Sequence, residues 1–395
     1  MSNKMKLKDV GTIITGNTPS KKCEEYYDSN DINFFTPTDF DDGRINDFKK
    51  SVNYISEKAR KKARVLPKGS VLVTCIGIIG KVGILENESA FNQQINAIIP
   101  NTKIIDNRYL AYWLISIAKV LREKANAPVV PIMNKTDFQE IEIDVPDIDT
   151  QKIIVKKLDR IQKMLDIKIE QKKLLEKVIK AKFVELFGDP LLNPKNWNVK
   201  KLKEISNKIM SGNTPKGGSQ VYVDSGITFF RSQNVWRNKL ELDDIAYIDE
   251  ETHKKMIRSS LKHNDLLITK TGRINTENSS LGRTALYDGP DDKANVNGHV
   301  YLVRLNNGEN HKYVLRILIS EEYKKYIRSV CVGGIDKRQL NKEQIEEFPI
   351  IYPPKELQKQ FSDLVEKIEE QENKIDKEID IIIEMKDNLM NKYFN

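Results

Sequence analysis

The sequence predicts an α+β fold in which two similar domains in tandem are separated and joined by two long helices that form an antiparallel coiled coil. Three observations lead to this prediction. The chain has 395 residues and a hydrophobic fraction of 39%, which is enough for at least two domains with separate cores. Its short motifs recur in the same order about 195 residues later. Each repeat ends in a charged segment with apolar residues at heptad spacing.

The internal repeat preserves the order of features in both halves of the chain. A Gly-Asn-Thr-Pro tetrapeptide comes first, then a run with two phenylalanines, and then a turn followed by an apolar, strand-like run. The matching pairs of segments are 16–19 with 212–215, 32–35 with 227–230, and 69–73 with 264–268.

The repeat predicts a strand-rich domain, a long helix, a second strand-rich domain and a second long helix. Aromatic and β-branched runs broken by Gly, Asn and Asp predict short strands within each domain. Apolar periodicity predicts a helix over 107–125 and its counterpart over 310–330. The predicted boundaries are 1–146 for the first domain, 147–190 for the central helix, 191–353 for the second domain and 354–395 for the last helix.

Each long helix carries an apolar stripe at alternating spacings of three and four residues, which is typical of a coiled-coil seam. Because a domain separates the two stripes in sequence, the simplest partner for each is the other, in antiparallel direction. Matching the midpoints of the stripes places Lys168 within a turn of Glu378, inside an apolar interface. The alternative is that both stripes pack on domain cores or on another protein. The predicted coiled-coil residues are Leu158, Ile161, Leu165, Lys168, Leu175, Ile179, Ile368, Ile375, Glu378, Ile382 and Met385.

The charge balance favours a polyanionic partner. Lys and Arg number 65 against 57 Asp and Glu, a net charge of +8 with a pI near 9.0, which suits an extended polyanion. A basic run at 49–64 suits phosphate contacts, or equally a solvated helix face. No apolar run approaches the roughly 20 residues of a membrane span, so we expect a soluble, cytoplasmic protein without a membrane partner.

No catalytic or metal site is expected on this chain. Three widely spaced cysteines, Cys23, Cys75 and Cys331, fit neither a disulfide framework nor a zinc site. The glycine turn at 77–81 has the wrong spacing for a phosphate loop. An acidic pair with a lysine resembles a nuclease motif, but Glu170 and Lys172 lie in the middle of a predicted helix, far from the strands on which such sites assemble.

Amide, hydroxyl and basic side chains at matching places in the two halves are candidate DNA-reading residues. Asn and Gln pair with adenine edges, Arg with guanine, and Asp accepts from cytosine. The structural alternative is that such side chains hydrogen-bond their own loops. The first domain supplies Thr36, Thr38, Asp39, Arg44, Lys81, Asn92, Gln93, Gln94 and Lys135. The second supplies Arg231, Ser232, Gln233, Asn234, Arg273, Arg283, Asn297, Lys337 and Arg338.

The order of these motifs resembles the specificity subunits of Type I restriction-modification systems over the whole chain. The second Gly-basic step is imperfect, because residues 274–281 are inserted between Gly272 and Gly282. The segments that carry the resemblance are the Thr-Pro starts at 7–19 and 202–215, the Gly-basic steps at 77–81 and 282–283, the isoleucine-Asx-Lys segments at 132–135 and 335–337, the Pro-to-Gln helix entries at 146–151 and 353–358, and the helix exit at 184–190.

The resemblance implies a function in DNA recognition. Each domain is expected to read one half of a bipartite target in double-stranded DNA, while the helices set the spacer and dock two methyltransferase subunits. S-adenosylmethionine is expected on those subunits, cleavage on a motor-nuclease subunit, and no cofactor on this chain. Two other functions remain open from the residues alone, a stand-alone metal-dependent nuclease and a DNA-binding scaffold.

Overall fold

A computed structural model describes residues 3–125 and 130–394 of the chain. The chain divides into two compact units, Met1–Gln171 with Lys374–Asn395 and Lys172–Asn373, so each long helix contributes residues to both units. Among the helices of the described ranges, none contains an uninterrupted apolar stretch that could span a lipid bilayer.

The first half of the chain contains eleven strands and five α-helices within its described residues. The strands are β1 (Asn3–Lys6), β2 (Gly11–Thr15), β3 (Ile32–Phe35), β4 (Ile45–Phe48), β5 (Asn53–Ile55), β6 (Val65–Leu66), β7 (Val71–Thr74), β8 (Val82–Leu85), β9 (Ser89–Phe91), β10 (Ile95–Pro100) and β11 (Glu142–Val145). The helices are α1 (Leu7–Val10), α2 (Asn107–Ser116), α3 (Ala118–Glu123), α4 (Lys135–Gln139) and α5 (Ile148–Phe187).

The first domain has a central sheet with the strand order β2-β10-β7-β8-β4, a second sheet with the order β5-β3-β9-β6, and a β1-β11 pair. Strand β7 is buried on both faces because its side chains alternate between two cores. Val71 and Val73 pack with helix α2, whereas Leu72 packs with phenylalanines of the second sheet. A continuous apolar run is what such a doubly covered strand requires.

The second half contains fourteen strands and five α-helices within its described residues. The strands are β12 (Asn198–Lys201), β13 (Ser206–Ser211), β14 (Ile227–Phe230), β15 (Val235–Trp236), β16 (Lys239–Leu240), β17 (Ala246–Ile248), β18 (Leu266–Thr269), β19 (Thr271–Arg273), β20 (Thr284–Leu286), β21 (Ala294–Val296), β22 (Val300–Leu305), β23 (Val332–Gly333), β24 (Lys337–Gln339) and β25 (Pro349–Tyr352). The helices are α6 (Glu250–Lys255), α7 (His311–Leu318), α8 (Glu321–Val330), α9 (Lys342–Glu346) and α10 (Lys355–Phe394).

The second domain rebuilds the scaffold of the first. Its β13-β22-β18-β20 sheet corresponds to β2-β10-β7-β8, its β17-β14-β21 sheet to β5-β3-β9, and its β12-β25 pair to β1-β11. The turns before β7 and β18 also match, because Gly69 and Asn264 both have a positive φ, 88° and 69°. Glycine and asparagine are the residues that adopt this conformation at least cost. The predicted tandem α+β fold is therefore confirmed.

The helices predicted inside the domains are each divided in two. Instead of one helix over 107–125, the chain forms α2 and α3 with a break at Ile117. Instead of one helix over 310–330, it forms α7 and α8, and the Ser320 side chain accepts a hydrogen bond from the Tyr323 backbone N–H at 3.2 Å. A serine that caps a helix start provides a local alternative to continuing the preceding helix.

The two long helices are antiparallel in each unit. In the first unit, Lys157 donates to Tyr393, Lys386 donates to Gln162 and Lys168 pairs with Glu378, so that one residue number falls as the other rises. In the second unit, the ring of Phe361 packs against those of Phe183 and Phe187, while Arg316 joins Glu176 to Glu369, so the residue number again falls on one helix as it rises on the other. The predicted direction of the pair is confirmed.

The buried seam of α10 differs from the prediction by one residue in each heptad. Met385 was predicted in the seam, but it is 48% exposed and Lys386 is buried in its place. Val365 and Glu372 are the buried positions between Phe361, Ile368 and Ile375, and Lys386 is the next buried position after Ile382. The prediction of Met385 was wrong because it followed hydrophobicity, whereas the helix places every fourth and then third residue on the seam even when that residue is charged.

Candidate nucleic-acid interface

The first pair of candidate reading loops has the same geometry in both domains. Asp39 accepts the Thr36 backbone N–H at 2.7 Å, and Asn234 accepts the Arg231 backbone N–H at 3.0 Å. These two acceptors are thus engaged in holding their loops. The hydroxyls of Thr36 and Thr38 hydrogen-bond each other at 2.8 Å.

The exposed members of these loops are Thr38 and Gln233, which are equivalent in the repeat. Gln233 donates to Asp244 Oδ2 at 2.8 Å, and Arg231 pairs with the same carboxylate at 3.1 Å. The hydrogen bond from Gln233, followed by the contacts from Arg231, holds the pKa of Asp244 below its ordinary value. In the free protein, Asp244 thus binds the amide of Gln233 and the guanidinium of Arg231, so a DNA base would have to displace Asp244 to bind either side chain.

The second pair of loops is also held by its own asparagines. Asn92 accepts the Gln94 backbone N–H, and Asn297 accepts the His299 backbone N–H, each at 3.0 Å. Gln93, whose side chain accepts from Thr18 at 2.7 Å, is exposed. The equivalence of Asn92 with Asn297 makes His299 the counterpart of Gln94. The sequence alone matched 92–94 with 295–297, two residues too early in the chain, and therefore missed His299.

The Gly-basic steps place a cation against a neighbouring loop in both domains. Lys81 Nζ donates to the Phe40 carbonyl at 2.7 Å. Arg283 donates to the Ser279 carbonyl at 3.0 Å, and its guanidinium lies 3.7 Å from the centre of the Trp236 ring. Burial lowers the pKa of Arg283, although a guanidinium stays charged at any physiological pH. Sequence reasoning also missed Trp236, a half-exposed aromatic side chain next to the basic step.

In the second domain, four of the predicted residues meet at one polar groove of about 530 Å³. Three are cationic, and the lining also includes hydroxyl and amide groups from the segment inserted at 274–281. A groove of this composition offers donors both to phosphates and to base edges. The residues that line it are Ser232, Thr271, Gly272, Arg273, Thr276, Asn278, Ser279, Ser280, Arg283, His299 and Lys337.

In the first domain, one predicted residue lines a groove of about 610 Å³. Lys135 lies there with Arg60 and Arg64, two members of the basic run. Arg60 pairs with Glu57 and Glu88, and the second of these contacts is 2.8 Å long. The two domains therefore present basic grooves built from different segments.

The remaining predicted reading residues are not among those that line the two grooves. Arg44 makes two hydrogen bonds to Asp166 of α5, at 3.0 and 3.3 Å. Arg338 is half-buried in β24, and its Nε donates to the Gly334 carbonyl at 3.2 Å. Contact of each reading residue with DNA stays a prediction.

The end of each domain shows that two segments were matched wrongly in the sequence. Asn134 and Asn341 precede the equivalent helices α4 and α9. Met133 and Leu340 just before them are buried, and their N–H groups donate to Cys75 and Lys270. Segment 132–135 thus corresponds to 339–342. The segment 335–337 belongs instead to a hairpin, β23-β24, which pairs with β19.

The predicted coiled-coil residues are buried to different degrees. Lys168 and Glu378 form their ion pair at 2.6 Å, but their side chains are 30% and 50% exposed, so the pair lies at the edge of the interface and not inside it. Leu165 and Leu175 are half-buried. The buried members are Leu158, Ile161, Ile179, Ile368, Ile375 and Ile382.

Within residues 3–125 and 130–394, no cluster of three or more His, Cys, Asp or Glu side chains could hold a metal ion. Burial raises the pKa of the Cys75 thiol to about 12, which is the opposite of what a nucleophilic thiolate requires.

Two copies of one scaffold, each with its own polar loops and basic groove, define a tandem recognition protein. The family described as the Type I restriction modification DNA specificity domain matches the chain twice, over residues 2–178 and 194–385. The chain belongs to this family, and it is a specificity subunit with two recognition domains.

Individual relatives agree with this family assignment. The chain is 26% identical to the Type I restriction enzyme MjaIX specificity subunit of Methanocaldococcus jannaschii, over 98% of this chain and 91% of that protein. It is 32% identical to the HindI specificity subunit of Haemophilus influenzae over 174 residues, which are 43% of this chain and 38% of that protein.

A solved structure supports the fold. The crystal structure of the S subunit of a Type-I restriction-modification system from M. genitalium superposes with a TM-score of 0.58 at 15% identity, over 100% of this chain and 96% of that one.

Proposed function

We propose that this chain selects the DNA target of a Type I restriction-modification complex, with each recognition domain reading one half of a bipartite site. One observation carries the proposal: equivalent loop positions on the shared scaffold present different side chains. Thr38 corresponds to Gln233, and Gln94 corresponds to His299. Different donors and acceptors at matching positions read different bases, so the two half-sites should differ in sequence.

The proposal assigns no catalytic step to this chain. Methylation belongs to two methyltransferase subunits that carry S-adenosylmethionine, and cleavage belongs to a motor-nuclease subunit. Because the substrate of such a complex is cellular or incoming DNA, we place the chain in the cytoplasm. A purified chain that cleaves or methylates DNA by itself with a divalent metal or S-adenosylmethionine would contradict this assignment.

The long helices offer a docking surface for the methyltransferase subunits. In the first unit, Met164 and Ile167 of α5 and Ile381 and Met385 of α10 are between 44% and 57% exposed. They occupy the positions that flank the seam on the same side of each helix, and antiparallel pairing brings those sides together. An exposed apolar face of this kind marks an interaction site. If this face docks the methyltransferase subunits, the Ile167→Glu variant should no longer co-purify with them.

The helices also supply the proposed spacer. Each has 40 residues and therefore a length of about 60 Å at 1.5 Å per residue. Inserting one heptad at matching positions in both helices adds about 10 Å, so the unread gap should lengthen by about three base pairs. A gap that stays unchanged would show that another feature sets the spacing.

Domain exchange tests the central proposal. Replacing residues 1–145 with the equivalent domain of a relative should change one half of the motif found by methylome sequencing and preserve the other half. The expected reason is that each domain reads bases without contacts from the other. If both halves of the methylated motif change, the two-reader proposal is wrong.

A further inference from the structure

The second domain has a small sheet for which the described part of the first domain shows no counterpart. Strand β24 pairs with β19 and β23, which gives a three-stranded antiparallel sheet. In the first domain, a single bridge between Ile76 and Ile132 occupies the equivalent place within the described residues. Among the described residues, this three-stranded sheet is therefore found only in the second domain, where residues 274–281 are inserted between Gly272 and Gly282.

The hairpin 332–339 projects an isoleucine at its tip. Ile335 is 91% exposed, the highest exposed fraction of any large apolar side chain in the described ranges. Gly333 has a φ of 132°, and a Cβ at this position would lie 2.9 Å from the Lys337 carbonyl oxygen. A glycine is therefore required where the two strands of this hairpin approach each other.

The tip is held in place by its neighbours. The Ile274 N–H donates to the Asp336 carbonyl at 3.0 Å, and the Asp336 carboxylate pairs with Arg273 at 3.3 Å. Arg338 Nε donates to the Gly334 carbonyl at 3.2 Å. These contacts anchor the residues on both sides of Ile335 while its own side chain faces solvent.

The charge around the tip indicates its partner. Between Arg328 and Lys342 the chain has four cations, Arg328, Lys337, Arg338 and Lys342, and one acid, Asp336. Arg273 and Lys337 also line the basic groove described above. An apolar tip flanked by cations matches a DNA groove, where phosphates line both edges and base pairs form the floor.

We propose that the hairpin 332–339 enters a groove of the duplex bound by the second domain and that Ile335 inserts against the base pairs as an apolar wedge. This inference rests on the proposed function and adds to it a contact that the polar reading residues do not supply. Two-stranded ribbons fit a DNA groove, and apolar side chains of other proteins unstack base steps in this way. Lys337 and Arg273 then lie where they neutralise the flanking phosphates.

The test uses Ile335→Ser in the specificity subunit assembled with its methyltransferase subunits. The probe is a duplex that carries the motif found by methylome sequencing. We expect wild type to prefer it over a duplex whose second-domain half-site is scrambled, and Ile335→Ser to lose about tenfold in affinity for the cognate duplex only. Ile257→Ser, which changes an isoleucine of the second domain that is 51% exposed, is the matched control and should bind as wild type does.

A second readout separates a wedge from a surface contact. With 2-aminopurine placed at successive steps of the cognate half-site, wild type should raise the fluorescence at one step by unstacking it, and Ile335→Ser should not. Unchanged cognate affinity of Ile335→Ser, an equal loss on all duplexes, or a loss of methyltransferase binding alone overturns the inference. A wild-type complex that does not distinguish the cognate from the scrambled duplex overturns the proposed function instead.

Discussion

The two recognition domains attach to the long helices at the same place with different chemistry. In the first domain, Arg108 and Tyr112 of α2 both bind Asp159 of α5, at 2.8 and 2.6 Å. In the second domain, the corresponding residues of α7 are Lys312 and Arg316. The attachment point repeats, but the charges that make it do not.

The second attachment concentrates charge on a buried arginine. Arg316 is 7% exposed and pairs with Glu176 at 3.2 Å and with Glu369 at 3.1 Å. Lys312 also pairs with Glu369, at 2.8 Å. The first attachment uses one carboxylate shared by a cation and a hydroxyl. The difference shows that the duplicated scaffold fixes where a domain attaches, while the stability of each attachment depends on its own residues.

The largest expected effect is on the second attachment. Arg316→Met removes the cation between two carboxylates, and we expect it to destabilise the second unit by about 2–4 kcal/mol, allowing for the half-exposed Glu176. Tyr112→Phe at the equivalent position of the first domain removes one hydrogen bond and should cost about 1 kcal/mol. Urea unfolding curves of both variants measure the difference, and equal losses would show that the two attachments do not differ in energy.

The next effect concerns the equivalent loop positions Gln233 and Thr38. If Gln233 pairs with a base edge, Gln233→Ala should lose about 1–3 kcal/mol on the cognate duplex and little on random DNA. Thr38→Ala is the matched change in the first domain and should relax only the other half-site. Filter binding on half-site variants measures both. An equal loss on cognate and random DNA would make Gln233 a phosphate or folding residue.

The two units should also respond to pH in opposite directions. Burial, followed by the nearby Glu176, raises the pKa of Glu372 in the second unit. Burial lowers the pKa of Lys386 in the first unit. Because the pKa of Glu372 is raised, the second unit loses stability as the pH rises above the ordinary carboxyl value of 4.5. Because the pKa of Lys386 is lowered, the first unit loses stability as the pH falls below the ordinary lysine value of 10.5.

Removing either charge should therefore remove the corresponding change of the unfolding free energy with pH. Glu372→Gln should stabilise the second unit near neutral pH, with a smaller gain near pH 4. In the wild-type first unit, stability should rise with pH between the lowered pKa of Lys386 and 10.5, and Lys386→Met should abolish that rise. Urea unfolding followed by Trp113 in the first unit and Trp197 in the second, in single-tryptophan variants, reports each unit. Identical pH profiles for wild type and variants would contradict the assignment.

The smallest effect belongs to the ion pair at the edge of the helix interface. Lys168→Ala and Glu378→Ala should each cost less than about 1 kcal/mol, because exposed pairs are screened by solvent. A double-mutant cycle should give a coupling of about 0.2–1 kcal/mol that decreases with added salt. A larger coupling that does not change with salt would mean that the pair is shielded in solution.

Much of the scaffold could be predicted because it depends on local patterns that occur twice. The strand runs, the turns before β7 and β18, and the two heptad stripes each follow from residue type and spacing. The antiparallel helix direction followed from the domain that separates the two stripes in sequence, and the pairing of Lys168 with Glu378 then followed from the midpoints of the stripes. Repetition supplied the second, independent copy of each pattern.

The reading surfaces could be predicted only as sets of residue types. The sequence identified Asp39 and Asn234 as candidate readers, but backbone N–H groups of their own loops occupy them. His299 was missed because its loop was matched two residues too early in the chain, and Trp236 because its contact with the Arg283 guanidinium is made only in the folded domain. A hydrogen bond within a loop and one to a base use the same side chains, so residue type alone does not separate them.

The sequence by itself determined the duplicated α+β architecture, the paired helices and the family resemblance, because periodicity and motif order are properties of the chain. Tertiary structure alone decided that Lys386 is buried and Met385 exposed, that the segment 335–337 forms a hairpin, and that basic residues far apart in sequence meet at one groove. The physical reason is that burial and proximity depend on how elements pack in three dimensions. A one-residue change in which position faces the partner helix reverses the environment of neighbouring side chains without any change in their local pattern.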